Sequence, residues 1–281
     1  LIGSGVATSG AMSGGDNTAV GKASLSAITS GASNVAVGSG AGAAITTGGN
    51  NTYVGKSAGD AQTTNDENVG IGYNSLTSNV TGGRNTAVGT NSLHTFNIAS
   101  GNTDTYNTAV GYDAGYYMTT GIKNTILGGL AGDALTTGAN NVAVGYAALT
   151  TEDGNGYNTA IGMNSLYTLN AGADAINTAV GYNSSYNMTT GGSNVSVGGA
   201  SLFTTTTGTE LTAVGYNAGY GNTIGRYNTA IGFKALFTDD VGDFTTAIGY
   251  QAGYYQNSNS DNENTGNTLV GASAGFYNVT G

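Results

Sequence analysis

Hydrophobic positions along this chain recur in a frame set by one glycine. The residue before it is aliphatic, at Val20, Val37, Val54, Ile71, Val88 and on to Val270, and two residues earlier stands Thr or Val, as at Thr18, Val35, Thr52 and Val69. The residue between them is usually Ala. Alternation over three residues, bounded by glycine and asparagine, predicts a short β-strand whose two β-branched positions share one face. The aliphatic column is expected to face the core. Ala and Gly would then lie outside, where they let neighbouring copies approach closely.

The frame glycine occurs sixteen times, from Gly3, Gly21, Gly38 and Gly55 to Gly232, Gly249 and Gly271. Successive copies are 17 residues apart in eleven of fifteen steps; the others are 18, 19, 22 and 22. A fixed period of this kind marks a solenoid, in which one short copy buries too little to fold alone and stacked copies bury a continuous core. The expected fold is therefore all-β: a parallel β-solenoid, or β-roll, of about sixteen 17-residue coils forming one repeat domain over 1–281. At roughly 4.8 Å per coil it would make a rod roughly 75 Å long.

Other columns carry their own signals. Three residues after the glycine stands Ala or Ser in every complete copy, which predicts a tightly packed interior, and the next position is mostly Leu or Gly. A second glycine often follows Thr-Thr, as at Gly48, Gly121, Gly138 and Gly191, where a turn needing positive φ would use it. Asparagine opens thirteen of fifteen copies, at Asn17, Asn34, Asn51, Asn68 and onward. That column fits either a ladder of side-chain amides from coil to coil or plain turn preference.

Composition narrows the picture. Fifty glycines without a single proline exclude collagen, and 38% hydrophobic residues at regular spacing argue against disorder. A net charge of -10 with six scattered basic residues offers no stripe for nucleic acid. No apolar run approaches a membrane span, so no membrane insertion is expected here. Without cysteine there are no disulfides or thiolate metal sites.

Candidate chemistry is sparse, and no catalytic residue, metal ligand or cofactor site is assigned. The lone His94 reads as exposed and without a partner. Paired acids at Asp66-Glu67, Glu152-Asp153 and Asp239-Asp240 read as solvated turn edges, with a Ca²⁺ site at Asp261-Asn262-Glu263 as the alternative. Gly49 to Ser57 resembles a phosphate loop but has one residue too many between its glycines. The sequons at Asn79 and Asn187 are expected by chance in so Asn- and Thr-rich a chain.

Tyrosine recurs just after the frame glycine, at Tyr73, Tyr112, Tyr146, Tyr182, Tyr216 and Tyr250, and again at Tyr116, Tyr220 and Tyr254. These rings suit a ligand-binding face for sugar or protein, or they cover the core and stiffen the stack. Insertions at 96–106, 168–176 and 256–266 should bulge from one edge, either as contact loops or as tolerated surface.

Copies such as Asn34-Val35-Ala36-Val37-Gly38 and Asn141-Val142-Ala143-Val144-Gly145 resemble the head repeats of trimeric autotransporter adhesins of the YadA-like type, and similar repeats occur in bacteriophage tail fibres. The period here is longer than that family's usual one. The resemblance implies a left-handed, trimeric β-roll on a virion or bacterial cell surface. Its partners would be copies of itself, as a homotrimer or filament, and a host-surface glycan or protein. The chain also reads as one segment of a longer fibre.

Two other function classes compete with this one. An ice-binding solenoid would need its threonine columns outward, whereas the shared face with Val places them inward. A polysaccharide-cleaving β-helix would need clustered acids in a groove, which the repeat does not supply.

Overall fold

A computed structural model describes residues 13–98, 103–151, 154, 156–257 and 264–279. Among these residues every regular element is a β-strand of two or three residues. The chain divides into two compact units, Leu1–Asn140 and Asn141–Gly281.

In the first unit the motif strands are Thr18–Val20, Val35–Val37, Thr52–Val54, Val69–Ile71, Thr86–Val88, Thr108–Val110 and Thr125–Leu127. Each pairs in parallel with the next, equivalent residues side by side: Thr18 with Val35, Ala19 with Ala36, Val20 with Val37. The second unit repeats the pattern with Val142–Val144, Thr159–Ile161, Thr178–Val180, Val195–Val197, Thr212–Val214, Thr229–Ile231, Thr246–Ile248 and Thr268–Val270. Pairing each strand with its own equivalent one copy later makes a parallel β-solenoid with a period of about 17 residues.

The longer steps leave the register intact. Thr86 still pairs with Thr108 and Thr246 with Thr268 across 22-residue spacings. The extra chain is partly used for a second parallel contact, between Gly82–Gly83 and Thr103–Asp104 in one case and Asp243 and Asn264 in the other. Nor do the insertions bulge at their start: Phe96 and Gln256, which open two of them, and Leu169, the second residue of the other, are buried. The middles of the first and third insertions lie outside the described residues.

The strand face is the reverse of the expected one. Ala19, Ala36, Ala87, Ala143 and Ala160 are buried, whereas the Thr or Val before them and the aliphatic residue after them are half-buried or exposed. The reason is the narrowness of the coil. Opposite the strand centre lie the Ala/Ser column (Ser24, Ala41, Ala58) and the Leu/Gly column, both buried, so a methyl group is all that fits.

Three exceptions show the size rule. Where the strand centre is large, at Tyr53, Ile126 and Leu269, the facing position is glycine in both its own coil and the preceding one. A Cβ on Gly59 would stand 2.3 Å from the Tyr53 ring, and one on Gly42 would stand 3.4 Å from it. Gly115 and Gly132 make the same room for Ile126, and Gly253 and Gly275 for Leu269. The Leu or Gly choice thus follows what already fills the space: a large strand centre in these three cases, and at Gly219 the leucine of the preceding coil, Leu202, 2.8 Å from where a Cβ would stand.

That facing position has positive φ in every described coil. Leu25, Leu76, Leu93, Leu149, Leu166, Leu202 and Leu236 sit at φ of 46 to 53°. Such a backbone costs a leucine about 1 kcal/mol or more. Full burial of the side chain returns about 2–3 kcal/mol, so packing wins.

The asparagine column forms a ladder, and the corner and the ladder are one device. Asn34 Oδ1 accepts the Asn51 backbone N–H (3.0 Å) and the Asn51 Nδ2–H (3.0 Å), while Asn51 Nδ2 also donates to the Asn65 carbonyl (2.9 Å). A threonine staple runs along another corner: Thr29, Thr46, Thr119 and Thr189 each donate their hydroxyl to the carbonyl one coil on.

Candidate functional site

Turning Ala inward places two β-branched columns on the outside of each unit. Val195, Val197, Val214, Ile231 and Ile248 are among the exposed large apolar residues of the second unit, and Ile71 and Leu127 of the first. In strand alternation the next outward positions are the residue after the frame glycine, on one side, and the residue five before it, on the other. Both columns are rims of the same face.

The first rim holds the six tyrosines singled out above. Tyr73, Tyr112, Tyr146, Tyr182, Tyr216 and Tyr250 are all exposed, at 48 to 59%. They do not form one continuous stack: only Tyr216, Phe233 and Tyr250 do, at 5.8 and 5.4 Å between ring centres. Phe233 and Met163 belong to the same rim and are also exposed, at 41 and 44%. Asp113 raises the Tyr112 phenol pKa by its charge and a hydrogen bond.

Sequence reasoning missed the second rim. Tyr106, Tyr157, Ile176, Tyr227 and Phe244 are exposed there, all at positive φ. Tyr227 stacks on Phe244 at 4.7 Å, and its phenol pKa is raised by a hydrogen bond to Glu210. The available signal was the frame itself, since each lies five residues before a frame glycine.

Tyr116, Tyr220 and Tyr254 occupy a different, half-buried column. In the second unit it holds Thr150 in the first coil and is aromatic in the next seven: Tyr167, Tyr186, Phe203, Tyr220, Phe237, Tyr254 and Phe276 stack at 4.9 to 5.4 Å with ring planes within 18°. Stacked face to face, the internal rings present edges to solvent, so this ladder stiffens its unit and offers no ring face for a sugar. His94 departs from expectation here. It stacks on Tyr116 at 4.8 Å, half-buried rather than free at the surface.

The acids do not converge. Glu67 and Asp104 both pair with Arg84 at an exposed corner, and Asp66 accepts the Gly49 N–H at 2.6 Å. Hydrogen bonds to Glu67 and Tyr106 and the Asp104 charge together hold the Arg84 guanidinium firmly protonated. Asp239 is not a solvated edge: it is fully buried and accepts the Gly242 N–H at 3.2 Å. It belongs to a core column that also holds Gln62, Asn79, Thr205, Asn222 and Gln256. Glu152-Asp153 and Asp261-Asn262-Glu263 lie outside the described residues.

Among the described residues no three His, Asp or Glu side chains gather as metal ligands. The segment 49–57 is an ordinary coil containing the strand Thr52–Val54, with Lys56 lying over the Tyr73 ring at 5.7 Å. The Asn79 amide is buried and hydrogen-bonded to Gln62 and Gly82, so that sequon is closed to modification. Comparison with protein-family models, curated proteins and solved structures finds no match to this chain.

Proposed function

We propose that this chain is a structural and adhesive fibre segment, a left-handed, trimeric β-roll that spaces and presents a host-binding surface on a virion or bacterial cell. One observation carries the reading: an outward, β-branched face rimmed by aromatic residues in each unit. Monomeric proteins seldom leave so regular an apolar surface to water, and a repeat that does so is built to be covered. Copies of the same chain are the natural cover for a surface that repeats every coil. The role is mechanical and adhesive, not enzymatic, and the rim tyrosines left at the edge of the assembly are the candidate contact for a host glycan or protein.

Imaging the purified particle by cryo-electron microscopy tests this. A threefold particle with coils about 4.8 Å apart is expected. A monomer with the face open to solvent would overturn the proposal.

The outward threonines favour a second reading, ice binding. Thr18, Thr108 and Thr125 are exposed where the sequence pattern placed them inside. A regular Thr and Val surface can order water. Thermal hysteresis from a monomeric protein would establish this reading in place of the first, and its absence would remove it.

A further inference from the structure

The two rims of the face vary together, coil by coil. Where the residue five before the frame glycine is large and apolar, so is the residue after that glycine. Tyr106 goes with Tyr112, Tyr157 with Met163 and Ile176 with Tyr182. Tyr227 goes with Phe233, and Phe244 with Tyr250. The match holds in five coils of five, against three of the ten coils whose second rim is small or polar. Small residues also coincide, at Ser33 with Ser39 and Ser193 with Gly199, and the one coil charged on both rims carries opposite signs, Asp16 and Lys22.

Contact within one chain does not produce this match. Partners on the two rims lie six residues apart, across the strand and its flanking corners, roughly 20 Å if fully extended. Ring stacking among the described residues runs along each rim, Tyr227 on Phe244 and Phe233 on Tyr250, and never across from one to the other. What brings opposite rims together at the same level is a rotation about an axis along the stacking direction, perpendicular to the coils. Any such cyclic arrangement sets the first rim of one copy against the second rim of the next, whereas an antiparallel pairing would mix levels.

We infer that copies of this chain associate parallel and in register, the residue five before each frame glycine of one copy packing on the residue after the same glycine of its neighbour. This rests on the reading that the β-branched face is a subunit interface, and adds to it polarity, register and the paired residues. Register is encoded by the sequence of rim pairs: aromatic on aromatic, small on small, Asp16 on Lys22.

The chain lacks cysteine, so engineered disulfides report the pairing cleanly. Wild-type mass by sedimentation comes first; a monomer overturns both the fibre reading and the rim pairing. In an oligomer, Ser33→Cys with Ser39→Cys in one chain should oxidise to a covalent species of the full oligomer mass. Their intrachain separation exceeds the roughly 7 Å between Cα atoms that a disulfide spans. Either substitution alone, or Ser39→Cys with Ser193→Cys, should give no cross-link. Dimers from the single variants, equal cross-linking by the mismatched pair, or no cross-link from the matched pair in an oligomer would overturn the rim pairing and leave the fibre reading standing.

Discussion

The frame glycine answers two demands at once. Its φ lies between 127 and 144°, a region closed to side chains, and a Cβ on it would press on the glycine of the next coil. At Gly145 that Cβ would stand 2.6 Å from the Gly162 carbonyl oxygen. Gly145→Ala should therefore cost more than the roughly 1–3 kcal/mol of backbone strain alone. Gly15→Ala, with nothing within 4 Å and no positive φ, should be neutral or slightly stabilising. Paired thermal melts check the contrast, and equal effects would refute it. Tyr53 makes the complementary case. Its ring fills space left by glycines, yet its hydroxyl has no hydrogen-bond partner, and burial pushes its pKa far above the ordinary tyrosine range despite the neighbouring Asn68. Tyr53→Phe should hold or raise the melting temperature, while Tyr53→Ala should cost about 3–5 kcal/mol. In an alkaline titration Tyr53 should stay protonated until the chain unfolds. The stability linked to it is present below the unfolded tyrosine pKa, and is lost only as pH climbs toward the raised folded value.

At the scale of the element, a three-residue strand is too short to hold itself and depends on its neighbours at both ends. The asparagine ladder supplies that support. Asn51 accepts the Asn68 N–H and donates to Asn34 and to the Asn65 carbonyl, all in the interior. Asn51→Ala strands buried polar groups at about 1–3 kcal/mol each, and should lower the unfolding midpoint in urea by more than any exposed Asn→Ala change. The ladder tolerates Leu211 and Thr245 because each keeps the backbone N–H that the preceding asparagine accepts, at 2.9 and 2.8 Å. What such coils lose is the side-chain bond they would donate and the carboxamide oxygen that would accept the next coil's N–H.

For the whole molecule the question is what covers the outward face. Ile231 lies on it, at a strand end with no role in the interior. Ile231→Asp should leave the solenoid folded, since the side chain points outward, and should reduce assembly mass sharply because a carboxylate would be buried against apolar neighbours. Unchanged circular dichroism with a loss of mass in sedimentation is the expected pair of results. Unchanged mass would mean that this face is not the interface.

Much of this was present in the chain itself. The period, the parallel stacking and the tight Ala/Ser column follow from spacing, because equivalent residues one period apart must occupy equivalent places. The second glycines were legible as a column but not for the right reason: Gly48, Gly121 and Gly191 do not have positive φ, and what each needs is room, since a Cβ would stand 2.3 to 2.5 Å from a carbonyl oxygen of the next coil. Tertiary structure alone decided which way the strand faces. Val, Ile and Thr at alternate positions read as core from hydrophobicity, but a 17-residue coil closes too tightly to admit them, and the interior takes Ala at the strand and Leu from across the turn. The inside of so small a coil is chosen by volume before hydrophobicity. That is why the most hydrophobic column of the sequence lies on the outside, and why Gly42, Gly59 and Tyr53 make sense only when seen together.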